Sequence, residues 1–286
     1  MRTSQNHKAI VKPLPVLMTA SISTRGMKNA YYSDDEREQM YVESLNFYIE
    51  NVLSDVNQSV VFVDNSGWNL DHLKRQLLPY DPNRLSFVSL SPELFDITKG
   101  KGYNELLMMN MALCQSQVIQ ESGGFVKATG RYPIYNLPYF VKMASCALEK
   151  GAVMYCDIKD HRLYDILQLG WTGHSFYSVL YGVKNVFFLE SIGARYEELN
   201  DYTGPLVEEM VYKIVMDESK TGLNKWRGTI GGGRIVARFK KEPICGGLQG
   251  SRMSALSFSV RQNNWKSKIK RGVGNCFRRL FPWIWF

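Results

Sequence analysis

The sequence predicts an α/β fold: a mostly parallel sheet covered by helices on both faces. Three observations predict it. Short apolar runs recur and stop at small polar residues. Stretches with helical spacing separate them. The runs are apolar throughout rather than alternating, as in strands buried on both sides.

Residues 14–22, LPVLMTASI, are the first strand. SDDEREQMYVESLNFYIENVL follows as an amphipathic helix, with Ser33 as N-cap and Asp34, Asp35 and Glu36 suited to the positive end of its dipole. SVVFVDNSG is the second strand, and LDHLKRQLL a short helix. RLSFVSLS is the third strand. GYNELLMMNMALCQSQ spaces apolar residues at i, i+3 and i+4, so it reads as a helix, preceded by Gly100-Lys101-Gly102. GGFVKATG supplies the fourth strand and AVMYCDI the fifth. After Asp157 the pattern changes. FYSVLYGVKNVFFLES is mixed, PLVEEMVYKIVMD is a helix, and WRGTIGGGRIVARFKKEPICGGLQGSR is glycine-rich and strand-like.

The 286 residues, 45% hydrophobic and 22% charged, suffice for a real core. No apolar run reaches the ~18 residues of a membrane span. The N-terminal stretch lacks the apolar core and cleavage site of a signal peptide, so a cytoplasmic protein is expected. The cysteines at 114, 146, 156, 245 and 276 are scattered, without the close spacing of a zinc site. The net charge of +8 is concentrated at the C-terminus: Arg261, Lys266, Lys268, Lys270, Arg271, Arg278 and Arg279 have no acid among them. The rest of the chain is near neutral, which argues against nucleic-acid binding by the domain.

Ligand sites in open α/β sheets lie at strand ends. Thr19 and Ser21 end the first strand, leaving room for a ring. Asp64 and Asn65 end the second, where a carboxylate accepts from base or ribose groups; an Asx turn is the alternative reading. Lys101 and Gly102 open a helix, and backbone N–H groups with a lysine suit a phosphate.

In this order the motifs resemble the nucleotide-sugar half of GT-A-type glycosyltransferases. GKGYNELLMMNMAL, FVKATGRYPIYN, CDIKDHRL and NDYTGPLVEEMVYKIV are similar to bacterial glycosyltransferases encoded with capsule and lipopolysaccharide genes, over residues 14–255. The resemblance implies a GT-A-like (Rossmann-like) domain over residues 1–258. It implies a nucleotide-sugar donor, UDP-linked as the first expectation, and a lipid-linked saccharide or glycan acceptor. Donor contacts are then expected from Thr19, Ser21, Asp64, Asn65, Lys101, Gly102, Asn104, Lys127, Thr129, Arg131 and Asp157.

Where the GT-A pattern places Asp-X-Asp on a divalent cation, this chain has Lys127-Ala128-Thr129-Gly130-Arg131. A role for Mg or Mn is therefore open. Strand alternation would put Lys127, Thr129 and Arg131 on one face. Arg131, with Lys127 or Lys101, would meet the charge a diphosphate gains as the sugar bond breaks. Alternatively Asp157 recruits a metal, with Asp160 and His161 near it in sequence. In inverting members an acidic residue deprotonates the acceptor hydroxyl; Glu208, Glu209 and Asp201 are the candidates. Glu208 and Glu209 face different sides of a helix, so at most one enters a cleft.

Residues 259–286 form a separate basic, aromatic tail. Trp265, Lys268, Arg271, Arg278, Arg279, Phe281, Trp283 and Trp285 combine cations with aromatic anchors. This composition suits an interfacial segment on an anionic membrane. The expected location is the cytoplasmic face of the inner membrane, as a peripheral protein. A non-catalytic membrane scaffold and a Rossmann-like methyltransferase are the other readings; against the latter, no Gly-X-Gly follows the first strand.

Overall fold

The structure, a computed structural model, describes residues 12–28, 32–160, 173–218, 229–230, 234–246 and 265–281. The elements begin with β1 (Val16–Ala20), α1 (Asp34–Asn51), β2 (Val60–Asp64), α2 (Leu70–Lys74), β3 (Leu85–Ser89) and α3 (Lys101–Gln115). α4 (Gln117–Ser122), β4 (Gly124–Thr129), α5 (Leu137–Glu149), β5 (Met154–Tyr155), β6 (Ile158–Asp160), β7 (His174–Phe176) and β8 (Leu180–Lys184) follow. The described chain ends with α6 (Val207–Asp217), β9 (Thr229–Ile230), β10 (Ile235–Val236) and α7 (Trp265–Leu280).

The main sheet has eight strands in the order β3-β2-β1-β4-β8-β5-β10-β9. β3, β2, β1 and β4 run parallel, with Val16 beside both Val60 and Val126. Strand residues alternate between two cores. Leu17, Val61 and Phe125 pack with Met109 of α3 and Val211 of α6. Val16, Phe62 and Val126 pack on the other face with Leu45 of α1 and Phe140 of α5. Ser33 caps α1 as its sequence predicts, in a reciprocal capping box with Glu36.

The second half of the sheet departs from expectation. The fifth strand is only Met154–Tyr155 and does not pair with β4. β8, from the stretch that reads as mixed, lies antiparallel between them. Its Gly182 lets α5 sit close: a Cβ there would come within 2.6 Å of that of Ala144. Such an approach leaves no mark in hydrophobic periodicity. α4 and α5 are additions to the sequence reading; Pro138 occupies the first turn of α5, where its missing N–H costs nothing.

Candidate active site

A cavity of about 330 Å³ opens at the carboxyl ends of β1 and β4. Thr19, Ala20 and Ser21 form one wall, Thr129 and Arg131 another. The first turns of α3 and α6 close it with Lys101, Gly102 and Glu208. Gly130 makes the turn from β4 possible. Its N–H donates to Thr19 O at 2.9 Å, and a Cβ at that position would press to 2.7 Å from the same oxygen.

Beneath the cavity lies a buried polar cluster. Lys127 is 1% exposed and pairs with Glu105 at 2.9 Å. Its ammonium also donates to Thr129 Oγ1 at 2.9 Å and Ser178 O at 2.7 Å. These contacts use all three of its donors. Thr19 Oγ1 donates to Glu105 Oε1 at 2.8 Å. Lys127, expected to reach a ligand, is therefore committed to holding the floor. Glu105 lines the cavity and went unnoticed in the sequence, where it reads as one polar position of an amphipathic helix.

Above this floor the cavity is cationic. Arg131 has Nη1 buried with no hydrogen-bond partner, and its guanidinium lies 5.4 Å from the Tyr132 ring centre. Arg37 is 6% exposed and lines the same space. Its Nε donates to Ile22 O at 2.9 Å and to Ser21 O at 3.0 Å, which fixes the guanidinium at the end of β1. Burial lowers the Arg37 pKa, and the charge of Arg131 lowers it further against the opposing pull of Tyr41. Lys101 is exposed at the mouth, but loss of water around its ammonium depresses its pKa. Arg131 and Arg37 depress it further, and Asp201 offsets part of the effect. Arg25, another lining residue, donates to Phe95 O at 3.2 Å. Sequence pattern gave no sign of Arg37, which belongs to α1 and reaches the site only through the fold.

The other expected site residues separate into two groups. Thr19, Ser21, Asn65, Lys101, Gly102, Asn104, Thr129, Arg131, Asp201 and Glu208 all line the cavity. Within it, Ser21 donates to Asn65 Oδ1 at 2.6 Å, and Ser178 donates to Glu208 Oε1 at 2.7 Å. Asn104 is 3% exposed; its Nδ2 donates to Asp96 O and Gly100 O, leaving Oδ1 buried without a donor. Asp201 has a structural task. Its carboxylate accepts from Lys101 N at 2.6 Å and Gly102 N at 3.3 Å, filling the helix N-terminus that the sequence offers to a phosphate. Gly100 (φ 90°) admits it, since a Cβ there would meet the Asp201 side chain at 2.5 Å.

Asp64, Asp157 and Glu209 are absent from the cavity lining. Asp64 is fully buried and accepts from Ile22 N, Ser66 N and Ser66 Oγ. The turn reading of this segment is the one the structure shows. Asp157, expected on the donor or a metal, accepts from Phe239 N at 3.0 Å and from Arg278 of α7 at 2.8 Å. Asp160 pairs with His174 at 3.0 Å and accepts from Tyr212. His161 lies outside the described residues. Among the described residues no three His, Cys, Asp or Glu side chains group as a metal ion requires.

α7 rests on the domain by its polar side. Arg278 reaches Asp157 and Glu242, and Asn275 Oδ1 accepts from Glu242 N at 2.9 Å. Trp265, Ile269, Val273 and Leu280 are 67%, 57%, 55% and 67% exposed. Phe277 and Phe281 continue the same stripe at helical spacing. Trp283 and Trp285 lie outside the described residues. No helix of the described residues is long and apolar enough to cross a membrane.

No family model and no curated protein matches this chain. Solved structures similar to it include a mannosyltransferase of Pyrobaculum calidifontis in complex with GDP-Man and Mn2+. That match has 12% identity, a TM-score of 0.40, and covers 73% of this chain and 53% of that one, so this chain spans about half its length. The galactosyltransferase LgtC matches at 9% identity and TM-score 0.39, covering 69% of each chain. Mouse xyloside xylosyltransferase 1 matches at 9% and 0.37, covering 70% of this chain and 80% of that one. Likeness at this level does not by itself assign an activity.

Proposed function

We propose that the chain is a glycosyltransferase, moving a sugar from a nucleotide-sugar donor to a lipid-linked saccharide or glycan acceptor in bacterial surface polysaccharide synthesis. The observation that carries this reading is one cavity, at the carboxyl ends of parallel strands, where unpaired cations face a carboxylate. Arg131, Arg37 and Lys101 suit a diphosphate that gains charge as it leaves. Glu208 is the acidic candidate that remains in the cavity without capping a helix or pairing with a lysine. In this reading the acceptor hydroxyl gives its proton to Glu208. Its oxygen then bonds to the anomeric carbon as the bond to the diphosphate breaks.

The exposed apolar stripe of α7 supports attachment to an anionic membrane, where the acceptor lipid would lie. Each cation near such a surface adds about 1 kcal/mol. In the full chain, changing Ile269 and Val273 to Glu should abolish sedimentation with anionic vesicles and leave neutral vesicles unbound as before.

The test of activity is a panel of UDP-, GDP- and CMP-sugars, read by thermal stabilisation and by product formation on a lipid-linked acceptor. One donor is expected to raise the melting temperature and be consumed. Glu208→Gln should then slow turnover about 10²- to 10⁴-fold with donor binding retained. A chain that binds membrane but no nucleotide sugar would be a scaffold, and the transferase reading would fall.

A further inference from the structure

We infer that this cavity holds the diphosphate of its ligand with Arg131, Arg37 and Lys101 alone, in place of the divalent cation on which a GT-A-type site relies. The inference rests on the nucleotide-sugar reading above and narrows it.

Four observations carry it. First, the end of β4, where the resemblance leads one to expect two metal-binding acids, presents Lys127 and Arg131. Second, of the three acids that line the cavity, Glu105 and Asp201 are already engaged within the protein, which leaves the single carboxylate of Glu208. Glu105 is paired with Lys127, and Asp201 caps α3. Asp157 lies outside the cavity under Arg278. A cation would have to displace these partners to find more than one carboxylate ligand. Third, the cavity's own cations lack such partners: Arg131 Nη1 is buried and unbonded, while Arg37 is bonded only to main-chain oxygens that carry no net charge. Fourth, these cations oppose one another. Arg131 disfavours the charged forms of both Arg37 and Lys101.

A guanidinium kept from water without an anion is costly, and a close like charge adds to the cost. A polyanion relieves both. A divalent cation in the same space would add to the repulsion. The planar fork of arginine also suits two phosphate oxygens at once, which a lysine at position 131 would not match. The positions of the two arginines explain why the site needs no acidic pair: one is carried by the end of β4, the other by α1 and pinned to the end of β1.

The experiment is calorimetric titration of the full chain with inorganic pyrophosphate, UDP, GDP and CDP. Each runs in excess EDTA, then with Mg2+ or Mn2+ added. We expect one nucleoside diphosphate to bind in EDTA more tightly than pyrophosphate, with Kd changing less than about threefold on adding metal. Arg131→Gln should weaken that binding about tenfold or more, which is the loss of one charge-assisted contact. Arg131→Lys should restore only part of it. Arg37→Gln removes bonds that hold β1, so the wild-type EDTA arm carries the test if that variant does not fold. Binding that appears only with Mg2+ or Mn2+ overturns the inference and leaves the transferase reading standing. Pyrophosphate binding in EDTA with no gain from any nucleoside upholds the cation cradle and overturns the nucleotide-sugar reading. No binding by any of them overturns both.

Discussion

At the seat of α7, Arg278 meets Asp157 at 2.8 Å and Glu242 at 3.8 Å. In the cavity, Arg131 has a buried Nη1 with no partner, close enough to Arg37 and Lys101 to disfavour their charge. Both regions place arginines beyond strand ends of the same sheet. One matches them with carboxylates and so fastens an element to the domain. The other leaves them unmatched and tolerates the cost. Buried charge that is paired serves structure, whereas buried charge left unpaired is consistent with a ligand that completes it. Lys127 shows how local the distinction is: four residues before Arg131, it belongs with the paired cations.

The comparison breaks first at Lys127. Lys127→Met leaves Glu105 without the ammonium it pairs with and strips Thr129 and Ser178 of a donor. Removing one member of a buried pair costs about 3–5 kcal/mol. Glu105 keeps 24% of its side chain exposed, so water offsets part of this and the expected loss is about 3 kcal/mol by the same reasoning. Urea unfolding checks it. A loss near zero would place Lys127 with the unmatched cations after all.

Arg278→Ala tests the other region. Both partners of its pair with Asp157 are mostly buried, at 18% and 11% exposure. A charged hydrogen bond of this kind is worth about 1.5–3 kcal/mol. The loss should be local, since α7 can lift without opening the sheet. Amide exchange across residues 265–280 should quicken while that of β1 and β4 stays unchanged.

How far these regions can be read from sequence follows from what each depends on. β1, β2 and β4 are buried on both faces or nearly so, and a continuous apolar run records that directly. The capping box of α1 is equally local, three residues apart. The insertion of β8 depends instead on Gly182 admitting Ala144, a contact between distant segments. The site divides in the same way. Arg131 and Glu208 are visible because each stands at the end of a legible element. Arg37 and Glu105 are single polar residues on amphipathic helices, and only the packing of α1 and α3 turns them towards β1. Asp201 and Asp157 show the converse. Each sits in a suggestive motif, yet the fold spends it on a helix end or on α7.

A smaller effect sharpens the contrast. Arg131→Met removes an unmatched charge and a contact with the Tyr132 ring. The ring contact is worth about 0.5–1 kcal/mol, and relief of repulsion with Arg37 acts in the opposite direction. The ligand-free melting temperature should therefore stay close to that of the unmodified chain, or rise, while diphosphate binding weakens about tenfold or more. A large fall would mean that Arg131 supports the fold as Lys127 does.

The smallest expected effect is a pH dependence set by Lys101. Its folded pKa lies below the ordinary lysine value, through loss of water around the ammonium first and then through Arg131 and Arg37. In the alkaline window between the folded value and that of the unfolded chain, about 10.4, the unfolded state binds more protons. Stability contributed by this group therefore rises with pH across the window and is flat below it. Ligand binding has the opposite slope. An anion in the cavity favours the charged ammonium, so binding takes up a proton and affinity falls as pH rises. Lys101→Arg keeps the charge and moves its titration out of the window. It should flatten both slopes relative to the unmodified chain, measured as Kd for a nucleoside diphosphate and as urea midpoint over the same pH series. Parallel slopes in the two proteins would show that Lys101 does not share the anion with the two arginines, leaving the cradle to Arg37 and Arg131.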